Sequence, residues 1–494
     1  MKRLLMTLLI SFVPFMLFAN NFSSYLGKIP YDSVVSELTP IEEREIEKIT
    51  FKDGTPVYND RIIRLYLVAS GINTEAEFRH YFTLFEDLVQ QAKELDGPGE
   101  LNRYNMAERL LHFMHDEIFK TEITGRAAGY NIGVRETLDK KRFNCYKSAL
   151  LYNALLEYFD YKSYLVLVPE HIYSVVLIDG RRISVETTNR FGFDTYNDGY
   201  PENQRKFDKP NVLLNRKNYR DKTPVDNVTV AGIIYNNLLL LYADQEQYPG
   251  YPVKTDMNRA ALLGMLGLYI TGDNKAIANN VQYPFFRLTE DRVKQDPQNL
   301  EKAYDDFMQI INHPYITAYS KPYRRNASIL VLESLPAYRK SVYGDPSTLT
   351  LDRLAESYRD SLVTLEKLSL DRSITDSGWN NTVIQYMENV DGKVNMDSYE
   401  GVRSYITAAH ELINDERLRT SPSYGRHRDL LARYATTELN NYIAALINSK
   451  NYRQAYAESR KGASYLRQLD FSHSATMRTL ERNMNIVKDQ MERN

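Results

Sequence analysis

The stretch that decides the fold is HIYSVVLIDGRRISVETT, residues 171–188. Ile172–Ile178 and Arg181–Thr187 are rich in β-branched residues and flank Asp179-Gly180, a strong two-residue hairpin signal. Counting from that turn, Ile178 faces Arg181, Val176 faces Ile183, Tyr173 faces Glu186 and His171 faces Thr188. His171 and Glu186 then lie diagonally on one sheet face, about 7–8 Å apart at the backbone, within reach of a long carboxylate side chain. A further strand, Ser163–Pro169, precedes the hairpin. Before it, Asn144–Phe159 reads as a helix with Ala149, Leu150, Ala154, Leu155 and Tyr158 on its apolar side.

The chain of 494 residues holds a single cysteine, Cys145, at the start of that helix. One cysteine excludes an internal disulfide framework and any site needing two thiolate ligands, so Cys145 is either inert or reactive. Asn144 is a good N-cap and puts Cys145 in the first turn. There the helix dipole and free backbone N–H groups favour a thiolate and can hold an oxyanion. Taken alone, a cysteine among apolar helix residues reads as core. The hairpin shifts the balance. Cysteine, histidine and carboxylate follow one another on helix, strand and next strand, as nucleophile, base and orienter would. The competing reading is a hairpin with an incidental surface ion pair.

At these residues the chain resembles the transglutaminase-like superfamily, whose fold is a variant of the papain-like thiol-enzyme fold, as a domain of an exported bacterial protein. The likeness is carried by Asn144-Cys145, by Glu170-His171-Ile172-Tyr173 and by Val185-Glu186-Thr187-Thr188. It covers residues 130–195 and extends to the helices from about residue 60. The chain departs at Phe143, where the family often has Gly, at Tyr173, where Trp is common, and at Glu186, where Asp is usual. The resemblance implies an α+β N-terminal transglutaminase-like domain with Cys145, His171 and Glu186 as a catalytic triad, using no metal and no cofactor. The implied reaction is acyl transfer or hydrolysis of an amide or peptide bond, of cysteine protease, amidase or cross-linking type. Because the family includes inactive members, the alternative is a catalytically inactive envelope scaffold or protein-interaction module that retains the fold.

Lys2 and Arg3 precede an apolar run from Leu4 to Ala19. This is the pattern of a signal peptide, residues 1–19, with an uncleaved anchor as the competing reading. The run falls short of the about 20 residues a membrane span needs, and Ile233–Tyr242 and Ala260–Ile270 are shorter still. The mature chain is therefore expected to be exported, periplasmic or secreted, without a transmembrane span. Residues 20–222 are expected to form the thiol-enzyme-like domain, with its core at about 60–200, and residues 223–494 an all-α, repeat-like region.

From Asn20 to about Lys120 the pattern is helical. Thr39-Pro40 with Glu42 and Glu43 is a helix start, and Thr74 with Glu77 is a capping box. Phe78, Tyr81, Phe82, Phe85, Leu88, Val89 and Ala92 form an apolar stripe that Asp96-Gly97-Pro98-Gly99 ends. Ala107, Leu110, Leu111, Met114 and Ile118 mark the next helix. Beyond Pro224, Ile233–Tyr242 with Asp244–Gly250, and Leu439–Ile447 with Tyr452–Leu466, read as helix–turn–helix pairs. Tyr452 and Ala455 resemble the close-packing positions of tetratricopeptide repeats, but no steady period of about 34 residues recurs, so an irregular helical solenoid is expected.

A formal net charge of −2 gives no electrostatic reason to expect a nucleic-acid partner. The expected partners are a peptide or protein substrate and a protein bound on the C-terminal helices. His112-Phe113-Met114-His115 sets two histidines three apart, the spacing of a metal pair, although an interior Met114 favours a solvated polar face. Glu43-Arg44-Glu45 and Asp139-Lys140-Lys141-Arg142 read as solvated charge clusters. The 38 tyrosines offer contact area for a partner, but filling of amphipathic helix positions is the better reading.

Overall fold

The computed structural model describes residues 22–96, 101–123, 133–169, 171–194, 222–244, 254–368 and 370–493. The signal-peptide segment, Gly97-Pro98-Gly99, Glu170 and the stretch from 245 to 253 lie outside the described residues. The chain is mostly helical, with small β-sheets in its N-terminal half and an all-helical C-terminal region. It divides into two compact units, Met1–Leu288 with Gln309–Ser320, and Thr289–Met308 with Lys321–Asn494.

In chain order the first unit includes helix α1 (Pro40–Ile46), strands β1 (Ile49–Lys52) and β2 (Thr55–Tyr58), and helices α2 (Ile62–Ala69), α3 (Glu75–Lys93) and α4 (Arg103–Glu117). Then come β3 (Thr121–Glu122), α5 (Arg135–Lys140), β4 (Arg142–Phe143) and α6 (Cys145–Tyr158). Strands β5 (Lys162–Val168), β6 (His171–Ile178), β7 (Arg181–Val185) and β8 (Thr223–Val225) form one sheet, and helices α7 (Asn227–Ala243) and α8 (Met257–Thr271) follow.

Asp179 and Gly180 both take positive φ, 49° and 76°, the type I′ geometry whose twist suits a two-residue hairpin. The register follows the count from the turn: Ile178 pairs with Arg181, Val176 with Ile183 and Ser174 with Val185. There the ladder stops. The Glu186 N–H donates to the Gly192 carbonyl at 2.8 Å, so the expected Tyr173–Glu186 and His171–Thr188 pairs do not form. Only glycine fits at 192, since a Cβ there would lie 1.9 Å from the Glu186 carbonyl oxygen. Val185 also bridges Phe193 on its outer side. The sheet order is β7-β6-β5-β8, antiparallel throughout. Strand β8 lies inside the stretch from 223 onward that was expected to be all-α, and it joins the sheet by pairing with β5. Its Pro224 has no N–H to give, which suits an edge.

Helix α6 packs on β5 and β6. Every residue from Lys147 to Leu156 is buried, so the one apolar side expected for this helix becomes a helix enclosed all round. Lys147 meets Glu136 at 2.8 Å, and Asn153 meets Asn227 at 2.8 Å. Without such a partner a buried ammonium would cost about 3–5 kcal/mol.

The N-terminal segment is not wholly helical. Asp53-Gly54, again with positive φ at both residues, turns β1 into β2, and β3 pairs in parallel with β4. Thr39 and Glu42 form a full capping box on α1. The expected α3 stripe is buried except for Phe82, which is half-buried. In Glu43-Arg44-Glu45, Glu43 and Arg44 are exposed as expected of a solvated cluster, but Glu45 is not. Glu45 is fully buried and accepts from Arg64, Lys48 and Tyr58, each at 2.7 Å. Burial raises its pKa, yet those donors and Arg44 hold it down at about 2. Glu42, also buried, accepts from both terminal nitrogens of Arg259, one at 2.9 Å. That pair ties α1 to α8, and α7 packs between α8 and α2. The first unit therefore continues to Leu288, past the boundary expected at 222.

In the second unit, successive helices pack against each other. They include α9 (Leu351–Lys367), α10 (Arg372–Asp391), α11 (Tyr399–Ile413), α12 (Tyr424–Asn448), α13 (Tyr452–Gln468) and α14 (Ser474–Arg493). Lys450, at φ 62°, reverses the chain between α12 and α13. The buried face of α13 is Ala455, Ser459, Gly462, Ala463 and Leu466, small residues that admit a neighbouring helix closely. Buried tyrosines serve the core here: Tyr386 donates to the Ala408 carbonyl at 2.9 Å and cross-links α10 to α11. Among the described residues no helix is long and apolar enough to cross a membrane.

Candidate active site

Three elements converge at the start of α6. Asn144 caps it, its side-chain oxygen accepting from the Lys147 N–H at 3.0 Å. Strand β4 leads in, fixed by Ile123 N–H donating to the Phe143 carbonyl at 2.7 Å. Cys145 therefore opens the helix, half-buried and free of any disulfide. His171 opens β6 beside it, opposite Val168 on β5. Glu186 follows the last residue of β7.

His171 Nε2 and Glu186 Oε2 are 2.6 Å apart, with the histidine side chain 14% exposed and the carboxylate 2%. Cys145 acts on the same imidazole and favours its protonated form. Since Nε2 is taken by the carboxylate, Nδ1 is the nitrogen that remains for the thiol. Burial pulls the His171 pKa down, but Cys145 and Glu186 outweigh it and push the value up to about 10. The structure thus brings together all three residues singled out in the sequence, although Glu186 arrives through a turn and not through a sheet register.

The remaining Glu186 oxygen, Oε1, accepts from the Thr188 hydroxyl at 2.7 Å and the Thr188 N–H at 3.2 Å. Both carboxylate oxygens are thereby committed. Next in sequence, the Thr187 hydroxyl meets Ser148 Oγ at 2.8 Å, one turn along from Cys145. Ser148 Oγ also donates to the Cys145 carbonyl at 3.3 Å. Tyr146 has its hydroxyl pKa pushed up to about 12 by burial and then by Cys145. Glu122 is exposed as a residue, but its carboxyl is partly shielded. That desolvation and the Glu186 charge raise its pKa, while His171 opposes.

The sequence reading missed two contributors. His115 is not on a solvated face: its Nε2 lies 3.1 Å from the Thr187 carbonyl, and its ring stands edge-on to Phe119 and Phe143. Lys147 is fully buried and pairs with Glu136, which also holds Arg142 just ahead of the cysteine. The signal for Lys147 was its place two residues inside a capped helix whose apolar residues surround it. Asp139, Lys140, Lys141 and Arg142 are exposed, as expected for a solvated cluster. Among the described residues no group of three or more His, Cys, Asp or Glu side chains is placed to hold a metal. A polar cleft lined by Glu301, Lys302, Asp306 and Tyr338 lies in the second unit, and none of its lining residues belongs to the Cys145 site.

No family model matches the chain, and no curated protein matches it. Among solved structures, one titled as the crystal structure of menin, revealing the binding site for the Mixed Lineage Leukemia (MLL) protein, is similar at 11% identity and a TM-score of 0.31. The match covers 96% of this chain and 98% of that one. So low a score assigns neither fold nor function.

Proposed function

We propose that the first unit is a thiol acyl-transfer enzyme of transglutaminase-like, papain-like type, acting on an amide or peptide bond through Cys145, His171 and Glu186. The observation that carries this reading is the 2.6 Å contact of His171 with Glu186, with Cys145 acting on the same imidazole from the start of α6. His171 takes the thiol proton as general base. The sulfur attacks the carbonyl carbon, and the developing oxyanion is met by the Cys145 N–H at the helix start. The C–N bond then breaks, the amine leaves with the proton from His171, and a thioester remains. Water or a second amine gives a proton back to His171 as it attacks the thioester, and the sulfur is released. Glu186 holds the ring orientation and balances its charge throughout.

In this reading the substrate is a peptide or protein. The helical second unit, tetratricopeptide-like in its small-residue helix contacts, is the module that holds a protein partner. The N-terminal segment 1–19 directs export to the periplasm or beyond. With one cysteine in the chain, alkylation reports on Cys145 alone. Iodoacetamide should modify the wild-type protein at pH 7 at least about tenfold faster than the His171→Ala variant. Equal rates would leave the non-enzymatic scaffold as the better description.

A further inference from the structure

Helix α4 carries a face that meets the Glu186 turn at four levels. Tyr104 donates to Asp194 Oδ2 at 2.8 Å and stands edge-on to Phe193. Two turns further on, the His112 ring stands edge-on to Phe191. His115 reaches the Thr187 carbonyl, and Asp116 takes both terminal nitrogens of Arg190, one at 2.8 Å. Positions 104, 112, 115 and 116 lie on one side of a helix with 3.6 residues per turn, so a single rigid element holds residues 187–194. These contacts differ in kind. Arg190–Asp116 is exposed on both sides, and such pairs contribute little. The Thr187 contact is enclosed: Thr187 is fully buried and His115 largely so. A backbone carbonyl only accepts, so His115 Nε2 carries the hydrogen, and the bond directs one specific tautomer at one specific oxygen.

We infer that His115 is a positioning residue for the thiol site: by fixing the Thr187 carbonyl it holds Glu186 against His171 and Thr187 against Ser148. Glu186 and Thr187 are consecutive, so their side chains cannot be displaced independently. Rotation of the Thr187 peptide would draw the Glu186 carboxylate off the imidazole. It would also loosen the Ser148 contact, and with it the first turn of α6. The paired histidines of α4 thus act on the site from behind, as a brace and not as metal ligands.

The inference rests on the acyl-transfer reading, and one set of variants separates the two. Iodoacetamide alkylation of Cys145 at pH 7 would be compared in wild type, His171→Ala, His115→Ala and His115→Gln, with the thermal midpoint of each. Gln keeps an N–H that reaches the carbonyl. The expected result is that His115→Ala slows alkylation at least about fivefold and His115→Gln restores it to within about twofold. If His171→Ala slows the reaction while His115→Ala does not, the positioning role is wrong and the thiol-site reading stands. If both His115 variants are equally slow with equally lowered midpoints, His115 is a core residue only, and the inference again fails. If His171→Ala changes nothing, both fall together.

Discussion

His171 and His115 stand on either side of the same turn, both largely enclosed, and their proton affinities move in opposite directions. His171 is pushed up to about 10, because Cys145 and Glu186 overcome burial. His115 is pushed down to about 4, because burial dominates and its bond to a neutral carbonyl returns only part of what was lost. Neighbouring Arg190 and His112 lower it further. Burial alone therefore does not set the charge of an imidazole. The partners do: a thiol and a carboxylate together hold one ring as a cation, and a carbonyl among aromatic edges leaves the other neutral.

The largest blow to this contrast should come from Glu186→Gln, which removes the charge but keeps the shape. The His171 pKa should fall from about 10 toward the ordinary 6.5, read from the imidazole C–H resonance against pH, with alkylation of Cys145 at pH 7 slowed at least about tenfold. His115 should keep its titration. A His171 value that stays near 10 would mean that Glu186 contributes nothing to its shift.

Gly192→Ala comes next. The new Cβ would lie 1.9 Å from the Glu186 carbonyl oxygen and 2.9 Å from that of Asn189, both backbone atoms. The turn must open, and the expected cost is about 3 kcal/mol of stability in urea unfolding, with both histidines losing their partners. An unfolding curve superimposable on wild type would show that the turn is loosely held.

An effect of at most a few kcal/mol for each histidine is expected in stability against pH. His171 binds its proton more tightly in the folded chain. Its stabilisation is complete below 6.5 and is lost as pH rises through about 10. For His115 the unfolded chain takes up a proton below 6.5 that the folded chain refuses until about 4. Stability on its account therefore falls as pH drops through that window. Urea midpoints measured at pH 4, 6.5 and 10 should show His171→Ala flattening the alkaline limb and His115→Leu the acid limb. Exchanged limbs would break the assignment. The smallest expected change is in Arg190→Ala. This loses an exposed pair and should stay within about 1 kcal/mol of wild type by the same measurement.

Much of this site was legible in the sequence because its parts are local. Asn144 before Cys145 and Asp179-Gly180 between two β-branched runs specify a cap and a turn with no help from the rest of the chain. What failed was extrapolation. The register holds only as far as Val185, because Gly192, six residues past Glu186, offers a carbonyl that competes with the strand. Asp53-Gly54 carries the same turn signal as Asp179-Gly180, yet it sits among helical patterns and its strands are four residues each, too short to show alternation clearly. Glu42 read only as a first-turn residue and Glu45 as surface, because carboxylates usually are. Their burial depends on Arg259 and Arg64, and Arg259 lies over two hundred residues away in sequence. Nothing in a local window reports such a partner.

The outer strands of the four-stranded sheet have a consequence for behaviour at high concentration. Among the described residues β8 and β7 are its two edges. On one side the strand is three residues long and carries Pro224, so a second chain finds a broken row of donors. On the other, Arg181 and Arg182 are exposed at the start of β7, and the Val185–Phe193 bridge covers its end. Neither edge offers the long, flat, uncharged template from which intermolecular sheets and fibrils grow. The four-stranded sheet therefore has little tendency to propagate from one copy to the next.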